Sequence, residues 1–523
     1  MTAMPTITPV LPSQQTWPLH DTAASRRIER AALDASAPHA LMPRAGLAVA
    51  RLASAVAPQA GTVWVAAGPG NNGGDGLVAA AWLQRWGRCV RVSLLGDLGA
   101  LPADAAQALA DARAAGVAIA ATLPDQVEGG LCIDALLGLG ATRAPAGAIA
   151  EAIARLNGQR APVLAVDLPT GLAADTGALL GTQAVVAWHT LGLLTLKPGL
   201  FTAQGRDHAG RVWFDGLSVA LAGAAPQAWL GGPPQPTPRR HAQHKGSFGD
   251  VVVVGGAPGM GGAAVLAARA ALAAGAGRVF LARLDGEGLA IDSAWPELMP
   301  RRLVDLLHPA LLAGATVVCG CGGGDAVKPA LPALLRHAGR LVLDADALNA
   351  LASEPSLMQA LVARGRAKRP TVLTPHPLEA ARLLGCSAAE VQADRIGQAA
   401  TLARRSTATV LLKGSGSVVA CPGRAPVINP TGNARLSCAG TGDVLAGWTG
   451  GHWAQQPARQ AEPSDDDPGD GGGFDSACAS AWLHGLAAEL ALPAAGAALP
   501  LRAAELVDRM REATQMQAGV NPR

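Results

Sequence analysis

The residue of the C-terminal half best placed to do chemistry is Asp443, which follows small residues in the stretch 429–447 (NPTGNARLSCAGTGDVLAG). Gly440 and Gly442 leave backbone N–H groups accessible, and the apolar residues after Asp443 predict a buried helix. The positive end of a helix dipole suits an anion such as phosphate. A carboxylate there is suited to take the proton of a hydroxyl that attacks phosphorus. The alternative is that Asp443 caps the helix.

Composition limits the classes of protein that the chain can belong to. A chain of 523 residues, half of them hydrophobic, predicts two or three domains. The net charge of +3 comes without a basic run, which argues against a nucleic-acid partner. The eight cysteines are scattered, and no second pair completes a zinc site with Cys319 and Cys321. We find no signal peptide and no apolar run long enough to cross a membrane, so we expect a cytoplasmic protein without a membrane partner. We also expect a homo-oligomer of a size that the sequence does not fix.

A glycine-rich segment organises the N-terminal half. Residues 68–76 (GPGNNGGDG) separate a predicted strand, 62–67, from a predicted helix, 77–86. A strand, a glycine loop and a helix in this order are typical of a nucleotide-binding crossover. Asn71, Asn72 and Asp75 add amide oxygens and a carboxylate to the backbone donors. This mixture suits a phosphate-bearing ligand and a bound cation, whereas a plain tight turn, the alternative, needs fewer special residues.

Three further predicted strands, 89–95, 131–134 and 162–166, alternate with helical segments and predict a doubly wound parallel sheet. Asp75, Asp134 and Asp167 fall at strand ends or in the segments that follow, where such sheets bind ligands. Unpaired buried carboxylates are costly, so three of them on one edge predict a metal ion and one acid for proton transfer. The alternative is that all three cap helices.

These segments resemble the N-terminal domain of the bifunctional NAD(P)H-hydrate repair enzymes. The similar stretches are 70–76 (GNNGGDG), 166–171 (VDLPTG) and 41–46 (LMPRAG), and the resemblance continues through 197–199 (KPG) to about residue 220. In that family this domain is an NAD(P)H-hydrate epimerase, which interconverts the two epimers of a cofactor hydrated on its nicotinamide ring. One residue departs from the family pattern: Trp188 stands where an Asp is usual, which would weaken the epimerase if that acid shapes the site.

The resemblance also implies which residues form the epimerase site. Asp167 would contact the substrate and serve as the acid/base. A potassium ion would be held by Asn72, Asp134 and Thr170. The remaining substrate contacts would come from Asn71, Asn72, Gly73, Gly74, Asp75, Gly138, Leu139, Gly140, Ala141, Thr142, Arg143 and Ala144.

The second half repeats the α/β pattern. A Pro-, Gly- and Gln-rich stretch, 226–243, predicts a linker between domains at 1–225 and 244–523, and the acidic stretch 455–475 predicts a disordered insertion rather than a calcium site. Five predicted strands end in polar or glycine-rich segments and therefore predict a site along one edge of a second sheet; they are 250–254, 315–320, 340–343, 371–373 and 407–412. Lys413 suits a phosphate contact and His376 a ligand contact, with a solvated lysine and a plain loop histidine as the alternatives.

This half resembles the ribokinase-like superfamily and, more closely, the ADP/ATP-dependent NAD(P)H-hydrate dehydratase half of the same repair enzymes. The similar stretches are 343–349 (LDADALN), 374–379 (TPHPLE), 412–416 (LKGSG) and 440–445 (GTGDVL), within a resemblance over roughly 240–515. One departure is at 320–324, which reads GCGGG where the family often has GPGLG.

The dehydratase resemblance implies a second set of site residues. Ala263, Gly322, His376 and Asp443 would contact the hydrated dinucleotide, with Asp443 as the base. The nucleotide, ADP or ATP with Mg²⁺, would be held by Lys413, Gly414, Ser415, Gly416, Ser417 and Gly442. Phosphorylation would turn the hydroxyl of the hydrate into a good leaving group, and the ring nitrogen would then expel phosphate.

The fold class expected is therefore two doubly wound α/β domains, a Rossmann-like epimerase and a ribokinase-like dehydratase, that act on small molecules. The alternative keeps the same folds but not the same functions. The C-terminal half would then be a small-molecule kinase of the vitamin-precursor type, and the N-terminal half would be a non-catalytic binding module.

Overall fold

The chain forms two compact units, Met1–Leu230 and Gly231–Arg523, in the computed structural model described below. The boundary lies inside the predicted linker 226–243, although residues 228–230 form a strand there, which the composition did not indicate. The acidic stretch 455–475 lies largely outside the described residues. The structure describes residues 7–11, 13–35, 39–219, 224–235, 238–286, 291–457, 471–490 and 499–520.

The first unit alternates strands and helices as predicted. Its strands are β1 (Thr8–Pro9), β2 (Trp17–Leu19), β3 (Thr62–Ala67), β4 (Cys89–Leu94), β5 (Ala118–Ala120), β6 (Leu131–Ala135), β7 (Val163–Val166), β8 (His189–Leu193), β9 (Arg211–Asp215) and β10 (Ala228–Leu230). Its helices are α1 (Thr22–Asp34), α2 (Leu41–Val56), α3 (Asn71–Arg85), α4 (Ala103–Ala114), α5 (Gly147–Asn157) and α6 (Gly205–His208).

The sheet of the first unit is doubly wound. Its strand order is β1-β9-β8-β7-β6-β3-β4-β5, and every neighbouring pair is parallel except β1 with β9. The chain moves from β3 outward through β4 and β5 and then returns to the other side of β3 with β6. Since β3, β6 and β7 are adjacent and parallel, the residues that follow them meet at one edge of the sheet.

Helix α3 begins at Asn71, six residues before the predicted start, so most of the segment read as a loop is helical. Its glycines let the helix lie directly on the sheet. A Cβ at Gly73 would come within 2.0 Å of the carbonyl oxygen of Gly68, and one at Gly76 within 2.5 Å of Cβ of Ala135. A glycine-rich pattern indicates a loop when only neighbouring residues are considered. Here the glycines are required because the helix and the strand lie too close together for a Cβ atom.

The second unit has a longer series of the same elements. Its strands are β11 (Asp250–Gly255), β12 (Arg278–Arg283), β13 (Met299–Pro300), β14 (Ala315–Cys319), β15 (Arg340–Leu343), β16 (Thr371–Leu373), β17 (Thr409–Leu412), β18 (Val418–Ala420) and β19 (Val427–Ile428). Its helices are α7 (Gly261–Ala273), α8 (Leu303–Leu306), α9 (Pro309–Gly314), α10 (Leu331–His337), α11 (Ala345–Ser353), α12 (Pro355–Arg366), α13 (Pro377–Leu384), α14 (Ala388–Ala393), α15 (Arg395–Ser406), α16 (Thr441–Ala454), α17 (Gly473–Leu490) and α18 (Ala503–Val520).

The strands of the second unit run in the order β13-β12-β11-β14-β15-β16-β17-β18-β19. They are parallel from β13 to β17, and β18 and β19 continue as antiparallel neighbours. All five strands predicted to end in polar segments are therefore adjacent in one sheet. Among the described residues, no helix has both the length and the apolar run needed to cross a membrane.

Helices α7 and α16 are in backbone contact because α16 carries glycines on the facing side. A Cβ at Gly447 would lie 2.0 Å from the carbonyl oxygen of Ala267, and one at Gly451 would lie 2.2 Å from that of Ala271. This contact fixes the axis of α16 against the sheet, and Asp443 stands in its first turn.

We predict that Gly447→Ala lowers the free energy of unfolding by about 1–3 kcal/mol, because the added methyl group forces the two helices apart. The matched control is Gly262→Ala in α7, where an added Cβ would meet nothing within 4 Å. That change should leave stability unchanged or raise it by up to about 1 kcal/mol. Urea denaturation followed by tryptophan fluorescence measures both, and equal stability of the two variants would refute the packing argument.

Two candidate active sites

A cavity of about 530 Å³ opens at the carboxyl edge of the first sheet. Of the predicted site residues, it is lined by Asn71, Asn72, Asp75, Gly138, Leu139, Gly140, Ala141 and Asp167. Gly73, Gly74, Thr142, Arg143 and Ala144 do not line it, and the first two of these serve the packing of α3. The structure therefore brings most of the predicted set to one cavity.

Asp167 follows β7 with a left-handed backbone (φ 66°), a conformation that residues other than glycine rarely adopt. Its Oδ1 accepts hydrogen bonds from the backbone N–H of Leu193 (3.1 Å) and from Nζ of Lys197. Lys197 is 2% exposed and also donates to the carbonyl oxygens of Leu193 and Thr195, both at 2.9 Å. The carboxylate is thus held in place by a buried ammonium group.

Two other acids that line the same cavity, Asp75 and Glu29, have raised pKa values. Burial raises the pKa of Asp75 well above its usual range, and the nearby Asp167 and Glu29 carboxylates raise it further. Burial also raises the pKa of Glu29, although Lys197 acts against the shift. Sequence reasoning missed both Glu29 and Lys197. The signal available for Lys197 was a single charge within the apolar run 193–201.

Asp134, at the end of β6, lies behind the cavity wall and has no exposed surface. Its Oδ1 accepts from the Thr170 hydroxyl (2.7 Å) and the Leu136 N–H (3.2 Å), and its Oδ2 accepts from the Thr170 N–H (2.8 Å). Among the described residues, no Lys, Arg or His side chain pairs with it. Burial raises its pKa to about 6 in spite of these hydrogen bonds. The amide nitrogen of Asn72 is also buried without a partner.

In the second unit, Asp443 is the third residue of α16, and the cap position belongs to Gly440, whose backbone is left-handed (φ 89°). The alternative that Asp443 caps the helix is therefore excluded. Burial raises the pKa of Asp443 to about 6; Asp344 adds to the shift, while the Cys321 thiol and Lys413 act against it. An acid with this pKa is largely ionised at neutral pH. Its pKa is also close enough to neutral pH for the carboxylate to accept a proton during the reaction.

The neighbours of Asp443 form a compact polar group. Asp344, which follows β15, accepts from Nζ of Lys413 (2.7 Å) and from the Thr374 hydroxyl (2.9 Å), both on Oδ1. Its Oδ2 lies 4.0 Å from Sγ of Cys321. One donor atom each from Cys321, Asp344 and Asp443 lie within 4.8 Å of one another. Burial alone would lower the pKa of Lys413, but Asp344 and Glu379 reverse this effect and leave the pKa raised.

The other predicted residues of this half lie along the same edge. A Cβ at Gly442 would be 3.3 Å from Nζ of Lys413, which places the start of α16 beside the predicted nucleotide loop 413–417. Within that loop, Ser417 Oγ accepts from the Gly414 N–H (3.2 Å). A Cβ at Gly322 would be 2.8 Å from Cβ of Ala263, so these two predicted contacts are adjacent.

His376 has a structural function in addition to any contact with a ligand. Its Nδ1 accepts from the N–H groups of Leu378 (3.1 Å) and Glu379 (3.3 Å), and it therefore caps α13. Burial lowers the pKa of the imidazole, and Lys413 lowers it further. Burial raises the pKa of Glu379 to about 7. A second cavity, of about 640 Å³, is lined by Gly324, Asp325, Lys328, Asp346, Asn349, Ala350, Ala352, Ser353 and Arg382.

Comparison with known proteins decides the family. The family model described as NAD(P)H-hydrate dehydratase matches residues 251–509, and the model described as YjeF-related protein N-terminus matches residues 38–199. The chain is 38% identical over 487 residues to the bifunctional NAD(P)H-hydrate repair enzyme Nnr of Escherichia coli, covering 89% of this chain and 88% of that protein. The chain belongs to the family of bifunctional NAD(P)H-hydrate repair enzymes.

A further member of the family and a solved structure are also similar to this chain. The bifunctional NAD(P)H-hydrate repair enzyme of Leishmania major is 34% identical over 488 residues, which cover 85% of this chain and 83% of that protein. The ADP/ATP-dependent NAD(P)H-hydrate dehydratase of Bacillus subtilis, co-crystallised with ATP/Mg²⁺, is 28% identical; the match covers 54% of this chain and 95% of that one, with a TM-score of 0.41. The predicted pair of doubly wound α/β domains is confirmed.

The two departures from the pattern of the repair enzymes lie in different surroundings. Trp188 immediately precedes β8, at the opposite end of that strand from the cavity, and its side chain is 65% exposed. It does not line the cavity, so the replacement of an acid there leaves the cavity wall unchanged. Cys321, in contrast, is buried beside Asp344 and Asp443, where it adds a thiol to the candidate dehydratase site.

We predict that Lys197→Met lowers the free energy of unfolding by about 3–5 kcal/mol, because it leaves the Asp167 carboxylate without its partner in a buried place. The double variant Asp167→Asn with Lys197→Met should lose less, since it leaves no unpaired charge. Urea denaturation of the whole chain measures both values. A double variant at least as unstable as Lys197→Met would contradict the importance of the ion pair.

Proposed function

We propose that the chain repairs hydrated NADH and NADPH: the first unit interconverts the R and S hydrates, and the second dehydrates the S hydrate at the expense of ADP or ATP. The observation that carries the proposal is the arrangement around Asp443. The chain belongs to the repair-enzyme family, and its Asp443, with a pKa of about 6, lies in the first turn of a glycine-capped helix. Lys413 and the loop 413–417 lie beside it. A group that can accept a proton therefore lies next to groups that can bind phosphate.

The dehydratase reaction follows from that arrangement. Asp443 takes the proton of the hydroxyl on the hydrated ring as its oxygen attacks the terminal phosphorus of the nucleotide. Lys413 and the N–H groups of loop 413–417 hold the phosphates, and the positive end of α16 faces the same place. Phosphate is a far better leaving group than hydroxide. The lone pair of the ring nitrogen then expels it and restores NAD(P)H, leaving AMP from ADP or ADP from ATP.

Mg²⁺ would enter this site with the nucleotide. Magnesium is bound mainly through substrate phosphates and one or two carboxylates, and it neutralises charge on the transferring phosphoryl group. The residues fit this requirement, because Asp344 Oδ2 faces the site while Oδ1 is occupied by Lys413 and Thr374. The second cavity, beside Gly324 and Asp346, offers room for the rest of a dinucleotide.

In the first unit we assign Asp167 as the acid/base of the epimerase. It lines the cavity, and Lys197 and the Leu193 N–H hold it in one orientation. The backbone segment 138–141 and Asn71 offer polar contacts to the hydrated nicotinamide on the opposite wall. Strain at the left-handed Asp167 is consistent with a functional position, since such strain is retained where the structure requires it.

The environment of Asp134 supports a potassium ion at Asn72, Asp134 and Thr170. Asp134 is a buried carboxylate that only neutral groups contact, and a monovalent cation beside it would supply the missing charge. The carboxylate, hydroxyl and amide oxygens of this set suit such an ion. The ion would fix the segment 136–138 that carries the cavity wall, without taking part in proton transfer.

The alternative of a vitamin-precursor type kinase joined to a non-catalytic module is not favoured. The relatives named as repair enzymes match across both units, over 89% of the chain in one case. Trp188, the residue that departs from the epimerase pattern, does not line the cavity. A homo-oligomeric assembly and a cytoplasmic location stay predictions.

We predict that Asp443→Asn abolishes dehydration while epimerisation continues, and that Asp167→Asn has the reverse effect. Asn keeps the shape of each side chain but cannot accept a proton, so the affected rate should fall by about 100-fold or more. Chromatography of the two epimers measures one reaction, and the return of the absorbance of reduced nicotinamide measures the other.

The control for these variants is the exposed Asp508→Asn on α18, which should leave both rates unchanged. Dehydration of the pure S hydrate by Asp443→Asn at the wild-type rate would disprove the role of Asp443. Loss of both reactions on changing Asp167 would disprove the separation into two sites.

The pH dependence of dehydration gives an independent test. Asp443 must be ionised to accept a proton, and its pKa is about 6. We therefore expect the turnover number with saturating substrates to be constant above about pH 7 and to fall about tenfold per unit once the pH is below 6. A turnover number that stays constant down to pH 5 would exclude Asp443 as the base.

A further inference from the structure

Two of the carboxyl groups that line the epimerase cavity, Asp75 on α3 and Asp167 after β7, have opposite electrostatic surroundings. We propose that Asp75 is the general acid of epimerisation and works with Asp167, the general base; the inference rests on the epimerase function proposed above. Pairs of titratable groups whose surroundings separate their proton affinities are the usual basis of acid and base assignments.

The contacts of the two groups differ sharply. The Asp167 carboxylate accepts hydrogen bonds from the Lys197 ammonium group and from the Leu193 N–H. The Asp75 carboxyl, half-buried on the cavity wall, makes no hydrogen bond or ion pair with any described residue. No hydrogen bond or ion pair with the described residues therefore holds Asp75 in its charged form, and its proton can move to a ligand.

The charges around Asp75 are mostly negative. Three acids face it: Asp167, Glu29 on α1 and Asp104 on α4; the cation that acts on it is Lys197. Burial raises the pKa of Asp75 most, and these acids raise it further, so the surroundings of Asp75 favour its protonated form. Lys197 acts against this shift but does not reverse it, and its ammonium group is hydrogen-bonded to Asp167.

Other candidates for the proton donor are less suitable. All three ammonium hydrogens of Lys197 have acceptors, namely Asp167 and the carbonyl oxygens of Leu193 and Thr195. Asp104 is engaged with His39. Glu29 is subject to two cations, Lys197 and Arg26, which oppose its protonation. Asp75 is the acid of this group that has several acidic neighbours and no ion pair.

The chemistry needs both roles. The hydroxyl of the hydrate is on the ring carbon bonded to nitrogen, so the substrate is a carbinolamine. Asp167 takes the hydroxyl proton, the carbon–oxygen bond becomes a carbonyl, and the carbon–nitrogen bond breaks. Its electron pair stays on nitrogen, which takes the proton of Asp75.

The opened chain carries an aldehyde and an enamine N–H. Rotation about the carbon–carbon bond beside the aldehyde presents its other face. Nitrogen then attacks that face, its proton returns to Asp75, and the oxygen regains the proton held by Asp167. Atoms and electrons balance without any further reagent, and the product is the opposite epimer.

The test is the pH profile of epimer exchange, measured by chromatography on the whole chain with the enzyme-free rate subtracted. In the wild type the turnover number should fall as the pH rises through the pKa of Asp75. Asp75→Asn should reduce the turnover number by at least about 100-fold with KM changed by less than a few fold, and its residual rate should lack the decline at high pH. Asp508→Asn, exposed on α18, should keep both the rate and the decline.

Three outcomes bear on the inference separately from the proposed function. A wild type that exchanges no epimers would refute the epimerase itself. A wild type that exchanges them without any decline at high pH would refute the role of Asp75, and this measurement depends on no variant folding. Asp75→Asn with the wild-type rate and profile would refute it as well, because an unchanged epimerase rate itself shows that the first unit is folded.

Discussion

A carboxylate taken out of water must be neutralised, protonated or paired, and this constraint shapes both sites. Each unit places an acid at the carboxyl edge of a parallel sheet and holds it with a lysine: Asp167 with the buried Lys197, and Asp344 with the half-buried Lys413. The acids left without such a partner, Asp75, Asp134 and Asp443, all have raised pKa values. The paired acids are held in place by their lysines, and the charge of the unpaired acids can change during a reaction or be balanced by a bound cation.

Glycine makes these arrangements possible by letting helices approach the sheet and one another. Helix α3 lies on β3 and β6 through Gly73 and Gly76, and α16 lies on α7 through Gly447 and Gly451. Both helices begin at the carboxyl edge of a sheet, so their positive ends face the same place as the strand-end carboxylates, and in α16 the first turn also carries Asp443. Positioning by backbone contact is rigid, which suits groups that must transfer protons over short distances.

The sequence predicted most of the architecture and less of the electrostatics. Strands such as β3, β6 and β15 could be recognised because buried apolar runs end at polar residues. The start of α3 was predicted six residues too late, since Gly73, Gly74 and Gly76 read as a loop when the closeness of the strand behind them is unknown. Short antiparallel strands such as β18 carry little periodicity and were not predicted.

For the site residues too, some could be predicted from the sequence and others only from the fold. Asp167 and Asp443 could be proposed from their places after a strand and in a glycine-rich segment. The pairing of Lys197 with Asp167 joins residues thirty positions apart, and Glu29 reaches the same cavity from α1. Such contacts depend on the fold and leave no local pattern. The capping of α13 by His376 likewise emerged only from the geometry of the helix start.

The central claim is that one chain carries two separate sites that together consume both hydrates. The most direct measurement is to supply the whole chain with an equal mixture of the R and S hydrates of NADPH, first with ADP and then with ATP. The loss of both epimers and the gain of NADPH are followed together, under conditions where uncatalysed epimerisation is slow. The account predicts that both epimers disappear completely and that NADPH forms in equal amount with at least one nucleotide. Conversion that stops at half, or a phosphorylated hydrate that accumulates without NADPH, would contradict it.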